Sequence, residues 1–357
     1  MRTNFRFFLS VVLSSVLLVA CGNKGYRASQ AGFSGVREKE LTSLGYVSLP
    51  LKKITNDSRF SGKFQVNGKP VELLIDSGAN STDLDNHLGA KLGLRIDKQA
   101  KVVSRGALGR PVTSSVGLGV LSAGPVSALP FPFMLANESL GTTATSRYDG
   151  QVGLDALEAL GALIDLRSGK MWVPGGRGQN QTLAGIQPLG EHSGLGFDVL
   201  RLRPAKNLPH LVLESQWNGR LVTWIVDTGA EVSVLSKRSA NQLGLQTKSS
   251  SARIIDASGD NASARSAAFN NIVFENLVVS DFPVAVIPLP VVRKNFNDHN
   301  GRPVDGIIGM DFLQSSAALF DAGSRLLYVG DPALLGTRPT NRTLAEAPGS
   351  GSVGLQW

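Results

Sequence analysis

The chain has 357 residues, a net charge of +8 and 42% hydrophobic residues. That hydrophobic share supports packed cores and excludes a disordered polyelectrolyte, and the length suits two ordinary domains. The positive charge is spread along the chain with no block of like charges, which excludes a nucleic-acid binder of the basic-patch kind.

In chain order, Arg2 and Arg6 precede an apolar run from Phe7 to Ala20. The run is shorter than a membrane span needs and has the proportions of a signal-peptide core. It ends Leu18-Val19-Ala20-Cys21, and Cys21 is the one cysteine of the chain. These residues resemble a bacterial lipobox. The resemblance implies lipid attachment at Cys21 and, with Gly22 following, an outer-membrane location facing the periplasm or the exterior. Residues 1–21 are therefore expected to be a lipoprotein signal peptide and residues 22–43 a tether.

From Leu44 onward the chain repeats itself. "VNGKPVELLIDSGA" (66–79) lies over "WNGRLVTWIVDTGA" (217–230), 151 positions later. The same offset places Leu44-Gly45-Tyr46 over Leu195-Gly196-Phe197 and "KLGL" from Lys91 over "QLGL" from Gln242. Farther on, "DGQVGLDAL" (149–157) matches "DGIIGMDFL" (305–313) at an offset of 156, so about five residues were added in the second half. In each half an Asn-Gly turn, at Asn67-Gly68 and Asn218-Gly219, predicts a hairpin feeding an apolar strand that ends on Asp76 or Asp227. A short helix is expected next, with Asp85 or Ser236 as cap, Leu84, Leu88 and Leu92 at helical spacing, and Gly93 or Gly244 past its end. Abundant glycine, few aromatics and scarce helical patterns predict β structure elsewhere. The expected divisions are a first lobe over 44–173, a linker over 174–194, a second lobe over 195–330 and a flexible tail over 331–357.

A single Asp-Ser/Thr-Gly tripeptide carries little information, but two in register within a duplicated unit carry much more. Apolar-apolar-Asp-Thr/Ser-Gly-Ala, followed later by apolar-apolar-Gly, resembles the signature of the aspartic proteases. "DTGAEVSVLS" and "DGIIGMDFL" are most similar to the retroviral, retropepsin-like type. The resemblance implies a mostly β molecule: two homologous β-barrel-like lobes of the acid-protease fold with a cleft between them. It implies a catalytic pair, Asp76 and Asp227, that shares one proton because two close carboxyls cannot both ionise. Ser77 and Thr228 would hydrogen-bond across the lobe junction, and Gly78 and Gly229 would let backbone approach the pair. Ala79 and Ala230 would lie beside the substrate backbone, and Gly153 and Gly309 on strands passing behind the acidic loops. Flaps are expected within Ser104–Pro111 and Asp256–Ser263. The chain departs from the retroviral pattern at Asn80 and Glu231, and at Leu154 and Met310, where Asp155 and Asp311 follow.

The function this implies is an aspartic endopeptidase acting on cell-envelope or extracellular proteins. It would need no metal or other cofactor, be held to the membrane through Cys21, and pair its lobes within one monomeric chain. An inactive peptide-binding lipoprotein of the same fold is the alternative, and lobe pairing between chains is a third possibility. Asp155, Asp165, Asp311 and Asp321 recur in both halves and are expected to serve turns or lobe packing. Trp172 and Tyr328 are expected in the core or on a lobe surface. His87, His192, His210 and His299 show no metal-ligand spacing.

Overall fold

The computed structural model describes residues 17–18, 38–39, 41–54, 57–136, 148–175, 197–206, 208–256, 258–275 and 277–330. Cys21, His192, most of the expected linker and the whole expected tail lie outside the described residues. Leu17 and Leu18 form a two-residue bridge to Ile255 and Ile254.

The first repeat runs β1 (Tyr46–Lys53), β2 (Phe60–Val66), β3 (Lys69–Ile75), β4 (Asp83–Asp85), α1 (Leu88–Lys91), β5 (Arg95–Arg105), β6 (Pro111–Ala123), β7 (Val126–Ala136), β8 (Gly150–Val152), α2 (Leu154–Ala159), β9 (Leu163–Asp165) and β10 (Lys170–Pro174). The second runs β11 (Phe197–Arg201), β12 (Arg203–Pro204), β13 (Leu211–Trp217), β14 (Arg220–Val226), β15 (Val234–Ser236), α3 (Lys237–Leu243), β16 (Lys248–Ile255), β17 (Asn261–Phe274), β18 (Leu277–Ile287), α4 (Pro290–Asn295), β19 (Gly306–Ile308), α5 (Met310–Ser315), β20 (Leu319–Asp321) and β21 (Leu326–Gly330). The molecule is thus mostly β, in two lobes of like construction.

Local sequence explains the entry to each site. Asn67 and Gly68 take φ of 50° and 76°, and Asn218 and Gly219 take 49° and 73°, the paired left-handed conformation of a two-residue hairpin. β3 and β14 then run along the middle of their sheets. Each pairs antiparallel with the preceding strand and parallel with the short strand from the second motif, Ile75 opposite Val152 and Val226 opposite Ile308. A strand so enclosed is apolar on both faces, as Leu73-Leu74-Ile75 and Trp224-Ile225-Val226 are.

The lobes share one antiparallel sheet, ordered β11-β21-β20-β9-β10-β1. At its centre Ile164 faces Phe320, with Leu163 opposite Asp321 and Asp165 opposite Leu319. These are residues related by the repeat, so the pseudo-twofold passes between β9 and β20. One apolar core runs through both lobes, from Phe64, Leu73 and Phe133 to Phe269, Phe282 and Phe320. Trp172 and Tyr328 are buried in a smaller cluster with Leu163 and Leu319.

Three details differ from expectation. Leu84 lies in β4, not in the helix, because its side chain is needed in the core beneath the acidic loop. Asp85 does not cap α1, whose first residue follows His87 without a side-chain bond; Ser236 does cap α3, accepting from Ser239 N at 3.0 Å. The expected tether reaches into the fold at its end: residues 38–39 and 41–43 are helical, and Leu41 is buried against Trp172 and Tyr328.

Candidate active site

Asp76 and Asp227 each sit one residue past the end of an enclosed strand, and both are buried. Their backbone amides are tied to the strands from the second motif, Asp76 N to Val152 O at 3.1 Å and Asp227 N to Ile308 O at 3.0 Å. The chain after each aspartate then turns back on itself. Gly78 N and Ala79 N donate to Asp76 Oδ1, both at 3.0 Å, and Gly229 N donates to Asp227 Oδ1 at 2.8 Å.

The two turns are locked to each other by a reciprocal exchange. Ser77 N donates to Thr228 Oγ1 and Thr228 N donates to Ser77 Oγ, each at 3.0 Å. The hydroxyls pass their own hydrogens across the junction, Ser77 Oγ to Val226 O at 2.9 Å and Thr228 Oγ1 to Ile75 O at 3.1 Å. The exchange faces the carboxyls toward one another. A Cβ on Gly78 would run into the carboxyl of Asp227, and a Cβ on Gly229 into that of Asp76, so glycine is obligatory at both positions.

The helices that follow the second motif brace the turns from behind. A Cβ at Gly153 would stand 2.6 Å from the backbone of Ser81, and one at Gly309 2.5 Å from that of Val232. Leu154 N donates to Ala79 O and Met310 N to Ala230 O, both at 2.8 Å. Asp155 receives Thr82 Oγ1 at 2.8 Å and Asp311 receives Ser233 Oγ at 2.7 Å. Asp165 and Asp321 accept amides from their own turns. These four carboxylates serve turns and bracing.

Burial pushes the pKa of Asp76 well above the ordinary carboxylate value, and the charge of Asp227 pushes it further. Burial also raises Asp227. Asp76 Oδ2 receives no donor from the described residues, and the charge of Asp227 beside it opposes ionisation of both carboxyls at once. The Arg59 guanidinium draws both carboxyls the other way, toward the ionised form. The arrangement can hold a single proton between two oxygens and keep one negative charge beside it.

A family model of aspartyl proteases matches residues 62–156 and, a second time, residues 213–312. The chain belongs to the aspartyl protease family. That membership brings a protease-like function, and the doubled match restates the internal repeat. A search among curated proteins finds no match.

Two buried residues beside the turns lie outside the expected site: Arg59, and His210, whose spacing speaks only against a metal site. Arg59 is buried, bound at Nε and Nη2 to Asp57 and 3.8 Å from Glu231 of the other lobe, with Nη1 3.5 Å from Gly229 O. His210 is buried too, and its Nε2 lies 2.9 Å from Gly78 O. The signal was available: each stands seventeen residues before its aspartate, and the repeat offset carries one onto the other. The expected flap segments meet at their tips. Leu108 N donates to Asp256 Oδ2 at 2.8 Å and Arg110 Nη1 to Ser258 O at 2.7 Å.

Glu214, Asp298 and His299 bring ligand atoms within 4.8 Å of one another. Arg302 lies 3.6 Å from Glu214 and 2.9 Å from Asp298, and Arg203 bonds His299 Nε2 at 2.8 Å, so arginines hold these atoms as an ion-pair network.

Two outcomes test the site. Ser77→Ala orphans Thr228 N and Val226 O, and is expected to cost about 1–3 kcal/mol for each group left unpaired, measured by urea unfolding. Asp76→Asn removes a carboxyl whose folded-state pKa is raised. Such a group adds stability below its unfolded-state pKa and loses it as pH rises through its folded-state pKa. The variant is therefore expected to melt at a higher temperature than wild type near neutral pH, with the gap closing as pH falls to the ordinary carboxylate value.

Proposed function

We propose that the protein is an aspartic endopeptidase in which Asp76 and Asp227 act as one acid–base unit. The observation that carries this reading is the reciprocal Ser77–Thr228 exchange that sets two buried carboxyls face to face. The ionised carboxyl takes a proton from a water, whose oxygen attacks the peptide carbonyl carbon. The protonated carboxyl gives its hydrogen to the carbonyl oxygen, so the tetrahedral intermediate forms uncharged. Collapse returns a proton to the departing amine nitrogen, and the pair again holds one hydrogen. Arg59 favours the singly ionised state, because its charge opposes double protonation while burial opposes double ionisation. Ala79 and Ala230, small and next to the turns, leave room for an extended peptide to bind in strand conformation.

The substrate would be a peptide or protein of the cell envelope or exterior. The chain would reach it tethered through lipid on Cys21, and would act as a monomer with its lobes paired within the chain. Asp76→Asn and Asp227→Asn are each expected to lower peptide cleavage by at least about 10²–10⁴-fold. Full activity in either variant would remove the shared-proton mechanism. Peptide binding without cleavage by the wild-type chain, from acid to neutral pH, would make the protein a binding module instead. Cys21→Ser is expected to move the protein from the membrane fraction to the soluble fraction of the envelope; unchanged fractionation would refute the anchor.

A further inference from the structure

A groove of about 790 Å³ runs between α3 and α4 of the second lobe. Lys237 and Arg238 line it from α3, and Arg293 and Lys294 from α4. No acidic residue lines it, and none of its residues belongs to the turns that carry Asp76 and Asp227. Lys237, Arg238 and Lys294 are exposed, and among the described residues none of the three has an ion pair or a hydrogen bond. Part of the remaining wall is uncharged and apolar, made by the exposed rings of Pro288, Pro290 and Pro303.

The fourth cation is fixed in place. Arg293 Nη1 donates to Asp305 Oδ1 at 3.0 Å and to Ser239 Oγ, and the Ser239 hydroxyl donates to the same carboxylate oxygen at 2.6 Å. Asp305 Oδ2 is held by Thr223 N at 3.1 Å, so one carboxylate ties α4 to α3 and to the sheet beneath. Only Nη1 of Arg293 is used in this way; its other N–H groups have no acceptor among the described residues. Helix stability does not account for the cations on α3. Lys237 and Arg238 stand in its first turn, where the helix dipole favours acids. The repeat shows the same contrast. The first-lobe residues equivalent to Ser236, Lys237 and Arg238 are Asp85, Asn86 and His87, and Asp85 Oδ1 lies 2.8 Å from His87 Nδ1. The second lobe has thus lost an acid and gained two permanent cations at one position.

We propose that the groove between α3 and α4 binds a phosphate group, held by Lys237 and Arg238 from one side and by Arg293 and Lys294 from the other. Four cations converging on one groove, with Asp305 as their single acidic partner, repel one another, and an anion between them removes that repulsion. A phosphate ester presents three strong acceptor oxygens and more than one negative charge, so it can accept from both helices at once, as a lone carboxylate with two oxygens cannot. Arginine supplies paired donors that match the phosphate oxygens, and lysine supplies a point charge. The proline wall suits a phosphate carried on an uncharged or apolar body. A lipid headgroup and a soluble phosphate ester share that chemistry. Binding here does not depend on the endopeptidase reading.

The test is calorimetric titration of the full-length chain in non-ionic detergent with two probes, inorganic phosphate and a short-chain phosphatidylglycerol. Saturable binding of at least one probe, weakened by added salt, is expected. Tighter binding of the phosphatidylglycerol would name a lipid headgroup as the source, and equal or tighter binding of inorganic phosphate a soluble one. Binding of neither would overturn the proposal. Lys237→Gln, Arg238→Gln and Lys294→Gln together are expected to weaken binding by at least about tenfold, the effect of losing one charged hydrogen bond. Arg293 is left in place because it ties α4 to Asp305. A control removes three exposed lysines outside the groove, Lys53→Gln, Lys63→Gln and Lys248→Gln, and is expected to bind as wild type does. Equal loss in the control, or full affinity in the groove variant, would overturn the site. Should the triple variant fail to fold, Lys237→Gln and Lys294→Gln singly are each expected to weaken binding, and unchanged affinity in both would overturn it as well.

Discussion

Two carboxyl groups are kept facing each other where water is scarce, and most of the structure follows from keeping them there. Each would rather be solvated, and each repels the other when charged. A framework that tolerates this must be rigid at the point of contact. The Ser77–Thr228 exchange supplies that rigidity with four hydrogen bonds, every one of them crossing between the lobes. It is also self-limiting. Neither turn can adopt its conformation with its groups paired unless the other is present, so an isolated lobe would leave buried amides and carbonyls unsatisfied. The shared sheet around Ile164 and Phe320 has the same character on a larger scale.

Around this symmetric centre the lobes have diverged. Arg59 and His210 occupy one repeat position and reach the same target, the carbonyl of the opposite turn's glycine. Arg59 keeps its charge because Asp57 chelates it and Glu231 approaches from the other lobe. His210 packs edge-on against Phe296, and burial pushes its pKa down to about 3, so it is neutral across the ordinary pH range. Among the described residues Arg59 thus supplies the pair with a permanent cation, contributed by the first lobe. The Arg59–Glu231 approach also requires one lobe of each kind, since Asn80 holds the position of Glu231 in the first lobe.

The sequence made the symmetric part of the molecule legible and left the asymmetric part obscure. Asn-Gly turns, enclosed apolar strands and the doubled acidic motif are local signals, and they placed the hairpins, the turns and the bracing glycines. The helix after β4 starts later than its spacing predicts because Leu84, Leu88 and Leu92 satisfy a helical period while the first of them is claimed by a ladder with β7 and β8. Leu41 falls within the expected tether because burial by a distant cluster has no local signature. Arg59 is inconspicuous in the sequence for a related reason. A lone arginine between strands looks like surface, and its buried partners, Asp57 and Glu231, are brought to it by the fold.

Fusing two copies into one chain changes what each copy can become. In a pair of identical chains any substitution appears on both sides, so a polar residue introduced beside one aspartate also appears beside the other. Two buried acids of the Asp83 kind would then flank the pair, and each would raise the cost of ionising it. With the copies joined, Asp83 and Gln151 arise once, and the equivalent positions of the second lobe hold the apolar Val234 and Ile307. The four bonds that lock the turns are indifferent to this change, because they are made by backbone groups and two hydroxyls that both copies retain. Duplication therefore separates two requirements that a homodimer must meet together: symmetry where the two turns lock, and freedom to diverge in the strands beside them.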